Sequence, residues 1–212
     1  MTPRTPDRDC PLCPRLAAFR AAQRLAHPDW FNAPVPPFGE ASPELLIVGL
    51  APGLRGANRT GRPFTGDSAG DLLYRTLLKS GLAAGSYGAH AEDGLQLRRA
   101  RITNAVRCVP PQNKPEASEL GACRQFLAAE LAALPHLKAI LALGGIAHAQ
   151  VITARGLRRA RYPFAHGAVH ELPDGMVLAD SYHCSRLNTN TGRLTPAMFE
   201  AVIAALAERL AA

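Results

Sequence analysis

Short, unbroken apolar runs alternate along this chain with longer stretches in which apolar residues return every three or four positions. The run LLIVGL, from Leu45 to Leu50, has no polar position to turn toward water. It ends in glycine and is followed by Ala-Pro-Gly, so it predicts a strand buried on both faces that opens into a loop. Runs of the same kind occupy Ala100 to Cys108, Ala139 to Gly144 and Met176 to Tyr182. Between them, Asp67-Ser68 precedes a segment in which Leu72, Leu73, Leu77 and Leu78 share one stripe and Gly81 stands near the end, the pattern of a helix. A second helix is predicted over Pro115 to Leu134, with proline and acidic residues in its first turns. A last one starts at Thr195-Pro196 and runs to about Leu210. Strands alternating with helices predict a single domain over residues 1–212, a three-layer α/β/α sandwich around a mostly parallel sheet of about four strands. Ligands of such sheets gather beyond the carboxyl ends of the strands. There this chain carries APGLRGANRTGRPFTGD, the Asn104 to Lys114 segment, GGIAH and HCSRLNTNTGRLT.

With 212 residues, 47% of them hydrophobic, the chain encloses a full core without needing a metal to fold. No apolar run reaches the length of a membrane span, and MTPRTPDRDCP lacks the apolar segment of a signal peptide, so a cytoplasmic protein is expected. In that reducing compartment, an odd count of five cysteines argues for metal ligation or free thiols over disulfides. The net charge of +7 favours a polyanionic partner, although Arg98, Arg99, Arg101 and the run from Arg155 to Arg161 are equally readable as solvated surface.

Cys10-Pro-Leu-Cys13 places two sulfurs on one tight turn, and Cys108 and Cys123 return from far along the chain. Four such thiolates suit a tetrahedral zinc or an iron–sulfur cluster, and the spacing does not separate the two. Cys108 and Cys123 taken alone are also readable as core residues. The first loop, Gly49 to Asp67, spends five glycines and three arginines after a strand, which suits close backbone approach to a ligand and phosphate contacts. It has neither the GK[ST] ending of a P-loop nor the spacing of a dinucleotide fingerprint. Phe64 in that loop is a core plug or a stacking platform, and Asp67 a helix cap, an exposed carboxylate, or both. Asn104 interrupts an apolar strand, so its amide reads a ligand edge or bonds to neighbouring backbone. His183 stands at a strand end, with His166 on a turn near it, and Leu187 is an apolar residue in a polar loop.

The segments GLAPG-x5-RTGRPFTGD, ITNAVRCVPPQNKP and SYHCSRLNTNTGRLT, with the four spaced cysteines and the PVPPFGE lead-in, closely resemble the family 5, or B-type, uracil-DNA glycosylases. The resemblance runs in order over roughly residues 10 to 205 and implies a uracil-DNA glycosylase-like fold. It implies that Gly49 and Ala51 belong to the substrate-binding first motif, that Phe64 stacks on a flipped base and that Asn104 reads the edge of that base. Asp67 would be the compensating carboxylate, and His183 the residue that stabilises the departing base at O2. Ser185, Arg186 and Leu187 form the expected DNA-gap-filling segment, with Asn188, Arg59, Arg62 and Lys114 as further DNA contacts. Cys10, Cys13, Cys108 and Cys123 match the family's 4Fe-4S ligands. Cys184 stands where the family usually has proline and is read as neither nucleophile nor ligand.

The resemblance therefore implies a hydrolase of base excision repair, a monomeric glycosylase that removes uracil and other deaminated or damaged bases from single- or double-stranded DNA. No lysine occupies a nucleophile position in the matched motifs, so a monofunctional enzyme that leaves the abasic site uncut is expected. The rivals are a non-catalytic iron–sulfur protein of the same fold that binds DNA or senses redox state, and an enzyme of small nucleotides.

Overall fold

The structure is a computed structural model that describes residues 4–211. Its centre is a six-stranded sheet. Four parallel strands form the middle: β2 (Leu45–Gly49) lies between β5 (Ala100–Asn104) and β6 (Ala139–Leu143), and β8 (Val177–Ser181) pairs with β6. These are the four apolar runs of the sequence. The sheet is wider than the expected four strands because β1 (Phe38–Gly39) and β7 (Val169–Glu171) add antiparallel edges. Strands of two and three residues carry no period that a sequence could display. A separate hairpin joins β3 (Ala83–Ala84) to β4 (Gln96–Leu97).

Alternation along the central strands divides the core in two, since successive side chains point to opposite faces. Leu45 and Ile47 face α3 (Ser68–Lys79) and α7 (Pro196–Ala211), packing with Leu73, Leu77, Phe199 and Ile203. Leu46 and Val48 face α4 (Ala117–Ala132) and α5 (Gly145–Ala154), packing with Leu127, Leu131, Val151 and Ile152. The three predicted helices begin where their caps lie. Asp67 accepts N–H bonds from Ala69 and Gly70, Glu116 and Glu119 form a reciprocal capping box, and Thr195 Oγ1 accepts from Met198 N at 3.2 Å.

A third cluster, Leu16, Val106, Cys108, Cys123 and Phe126, joins α1 (Pro14–Ala26) to the segment after β5 and to α4. Beside it Glu130, 1% exposed, accepts bonds from Arg101, Thr103 and Arg107, tying α4 to β5. Among the described residues the remaining α-helices are single turns, α2 (Ala57–Thr60) and α6 (Arg186–Asn190). Among the described residues no helix is long and apolar enough to cross a membrane.

Candidate active site

Beyond the carboxyl ends of β2 and β5 lies a cleft of about 480 Å³, into which Ala51, Phe64, Asp67, Asn104, Lys114, His183, Ser185, Arg186 and Leu187 all project. The sheet register sets its floor by placing Gly49 opposite Asn104 on adjacent parallel strands. A Cβ on Gly49 would stand 2.5 Å from Asn104 Oδ1 and 2.6 Å from Phe64 Cζ, so only glycine lets the ring and the amide meet there. Asn104 is 3% exposed and its Oδ1 has no hydrogen-bond partner within the protein. The bond to neighbouring backbone is not made by Oδ1, which stays without a partner on a residue that lines the cleft.

Phe64 holds φ at +52°, a left-handed backbone that costs an aromatic residue on the order of 1 to 3 kcal/mol. The surrounding loop secures it. Tyr87 donates its hydroxyl to the Phe64 carbonyl at 3.3 Å, Tyr74 donates to the Pro63 carbonyl at 2.5 Å, and Thr60 donates to the Thr65 carbonyl at 3.1 Å. Gly70 is required beside it, because a Cβ there would come within 1.8 Å of the Phe64 carbonyl oxygen. The ring so fixed lies 5.7 Å from the His183 ring at an interplanar angle of 29°.

Asp67 caps α3 with Oδ1, at 3.1 and 3.2 Å from the N–H groups of Ala69 and Gly70. Its Oδ2 lies against the first loop, where a Cβ on Gly53 or Gly56 would approach within 2.9 or 2.4 Å. One oxygen thus makes the cap while the other stays outside it, on a half-buried residue that lines the cleft. Burial holds the His183 pKa below its ordinary value, against the opposing pull of the Asp67 charge, and the imidazole is neutral at pH 7.

The rim departs in part from expectation. The polar segment after His183 forms the single turn α6, with Leu187 72% exposed beside the cleft. Asn188 turns inward, and its Nδ2 donates to the His183 carbonyl at 2.8 Å. Lys114 follows Gln112 and Asn113, both at positive φ, and with Arg186 and Arg59 it is exposed. Arg62 is different. It is 4% exposed, with Nη2 2.6 Å from Asp93 Oδ2 and its guanidinium over the rings of Phe38, Tyr74 and Tyr87. Burial would raise the Asp93 pKa, but the Arg62 guanidinium and the N–H groups of Leu95 and Gly88 outweigh it, and the carboxyl is held well below the usual range. A guanidinium so engaged does not reach a phosphate, which removes Arg62 from the expected DNA contacts.

Cys10, Cys13, Cys108 and Cys123 line one small cavity with Leu16, Arg20, Val106 and Phe126. Arg20 Nη1 donates to Cys108 Sγ at 3.3 Å, and the Arg107 N–H donates to Cys123 Sγ at 3.4 Å. Burial pushes the Cys108 thiol up to about 12 and Cys13 to about 11, so bare thiols stay protonated here. Among the described residues, no three of these sulfurs lie within 4.8 Å of one another. Four sulfurs on a tetrahedral zinc with 2.3 Å bonds would stand only about 3.8 Å apart. Cys184 is 0% exposed in the core cluster that holds Phe64 and side chains of α3 and α7, and it is not among the cysteines that line the small cavity.

The tyrosine props, the glycine clearances and the N–H donors to sulfur lie outside the sequence reading. Each depends on partners brought together by the fold, and no local signal marks them. The chain has relatives among known proteins. Residues 36–207 match the Uracil DNA glycosylase superfamily, and the chain belongs to it. Over 200 residues it is 46% identical to the type-5 uracil-DNA glycosylase of Thermus thermophilus, covering 92% of this chain and 90% of that protein. Its identity to the type-5 uracil-DNA glycosylase of Mycobacterium leprae is 45% over 199 residues, 90% of this chain and 87% of that protein. A type-4 uracil-DNA glycosylase of Pyrobaculum aerophilum is 32% identical over 138 residues, 65% of this chain and 62% of that protein. Within the superfamily the chain belongs to the type-5 family.

Proposed function

We propose that this protein hydrolyses the N-glycosidic bond of uracil in DNA and leaves an abasic site, a first step of base excision repair. The observation that carries the reading is the unpartnered Oδ1 of Asn104, buried beside Gly49 and the ring of Phe64 on a residue that lines an open cleft. Uracil offers a ring N–H between two carbonyls, so Oδ1 accepts from that N–H while the amide nitrogen donates to a carbonyl. Cytosine presents a lone pair at the same ring position and leaves Oδ1 unsatisfied, which discriminates against the normal base.

A base in a duplex must leave the stack before it is read, at a cost of a few kcal/mol. Stacking on Phe64 returns on the order of 1 to 3 kcal/mol. As the glycosidic bond breaks, negative charge gathers on the base and positive character on the sugar. His183, kept neutral by burial, donates an N–H at O2, where the bond strengthens as charge develops. The free oxygen of Asp67 orients the attacking water or stabilises the cationic sugar. Leu187 fills the space that the base vacates, while Arg59, Lys114, Ser185 and Arg186 meet the DNA backbone. Asn188 serves from behind, by holding the carbonyl of His183.

Cys10, Cys13, Cys108 and Cys123 would hold a 4Fe-4S cluster. The N–H donors suit metal-bound thiolates, and sulfurs of which no three lie within 4.8 Å of one another stand wider than a single zinc requires. When bound, it staples the N-terminal segment to the stretch between β5 and α4. That stretch continues into Lys114, whose carbonyl accepts from Arg15 Nη2 at 3.1 Å, so the same junction braces the cleft rim. A non-catalytic iron–sulfur protein would have no use for an unpaired amide oxygen in an assembled pocket.

The test is a uracil-containing oligonucleotide incubated with the protein and then treated with alkali. Strand scission is expected only after the alkali and only at uracil. Absence of alkali-labile sites would overturn the glycosylase reading, and scission without alkali would overturn the monofunctional one.

A further inference from the structure

On the face of the sheet covered by α4 and α5, His148 of α5, His170 of the edge strand β7 and Asp180 of β8 bring three ligand-type atoms within 4.8 Å of one another. The glycosylase chemistry uses none of them. Their side chains are 4%, 14% and 0% exposed, so water does not satisfy the inner pair. The His148 ring has its Nε2 at 2.8 Å from the Tyr162 carbonyl, which takes that N–H, so the proton on Nδ1 is the one a metal would displace. That Nδ1 faces Asp180 Oδ1 at 2.8 Å. On the other side of the carboxylate, Asp180 Oδ2 and His170 Nε2 are both buried without a hydrogen-bond partner, 3.5 Å apart.

A carboxylate oxygen and a ring nitrogen that face each other in the interior without partners would both be satisfied by a cation between them. A proton serves poorly, because charge-assisted N–H···O bonds close to about 2.7 to 2.9 Å. Two ligands on a tetrahedral zinc with bonds of 2.0 to 2.1 Å stand about 3.3 Å apart, close to the separation observed. A backbone carbonyl fixing the tautomer of a ligating histidine is a usual outer-shell arrangement of such sites. The slight exposure of His170 at the sheet edge provides entry for the ion.

We propose that His148 Nδ1, His170 Nε2 and the Asp180 carboxylate bind a divalent metal of the zinc class. The ion links α5, β7 and β8, and Asp180 lies three residues before His183. The site therefore anchors the strand from which His183 emerges.

The experiment uses the intact, cluster-loaded protein, equilibrated anaerobically with zinc chloride, freed of unbound metal and analysed for zinc and iron per chain. Melting temperatures are measured with and without zinc. His170→Ala is the main variant because an edge-strand side chain is the least needed for folding, and Asp180→Asn is the second. The wild type should retain about one zinc per chain and melt higher with it. His170→Ala, with unchanged iron, should bind zinc at least about tenfold more weakly and lose the thermal gain. Equal zinc in wild type and His170→Ala would overturn the proposal, as would a wild type that holds none. A wild type that holds no zinc and whose melting temperature depends on pH alone would assign the pair His148 and Asp180 to a shared proton instead.

Discussion

Replacing Leu187 by alanine separates a role in DNA from a role in folding, and the structure sets the size of each effect. Full burial of a leucine side chain is worth about 1.5 to 3 kcal/mol. With 72% of the residue exposed, only about a quarter of that is realised in the free protein, or some 0.4 to 0.8 kcal/mol. For a chain of this size the melting temperature should fall by about 1 to 3 °C. If the side chain enters the stack when the base leaves, DNA covers the remaining three quarters. Truncation then removes about 1 to 2 kcal/mol from the extruded state, a loss of about 5- to 30-fold in rate. Single-stranded DNA imposes no unpairing cost, so its rate should hardly change. The assay is single-turnover base release on matched single- and double-stranded uracil substrates, with melting curves on the same samples. Equal losses on both substrates, or a drop in melting temperature far beyond that range, would refute the wedge and make Leu187 a packing residue.

His183→Ala should slow base release by about 10² to 10³-fold with little change in DNA affinity, and an unchanged rate would move the anion-stabilising role elsewhere. Because burial holds the His183 pKa below 6.5, the competent neutral ring should persist down to that pH, and rates should fall only at lower values. An acidic limb centred above 6.5 in the pH profile of the single-turnover rate would contradict this. Gly49→Ala forces Asn104 or Phe64 aside and should lower that rate by about 10²-fold, at a stability cost of about 1 to 3 kcal/mol in denaturant titrations; wild-type rates would show that the clearance is not needed. Arg62→Ala should cost about 3 to 5 kcal/mol of stability by stranding Asp93, whereas Arg59→Ala should spare the melting temperature and reduce the salt dependence of DNA binding; the opposite assignment would restore Arg62 to the DNA surface.

Much of the fold is legible locally. The four parallel strands are continuous apolar runs, and the cap at Asp67 and the start at Thr195-Pro196 are set by interactions within one helical turn, so neighbouring letters suffice to show them. The motif residues Phe64, Asp67, Asn104 and His183 are legible as candidates for the same reason, since each is conspicuous among its immediate neighbours. Their meeting is another matter, because it rests on the register that puts Gly49 beside Asn104 and on a left-handed turn at Phe64 held by Tyr87 from 23 positions away. Arg59 and Arg62 make the contrast plain. They stand three residues apart in one glycine-rich loop, yet one reaches solvent and the other is enclosed with Asp93, 31 positions along the chain. Local composition does not distinguish them, because the partner that neutralises Arg62 and the rings that cover it converge only when the chain folds. The same holds for His148, His170 and Asp180. Each is ordinary in its own segment, and their chemistry arises from the packing of α5 against the antiparallel edge of a parallel sheet.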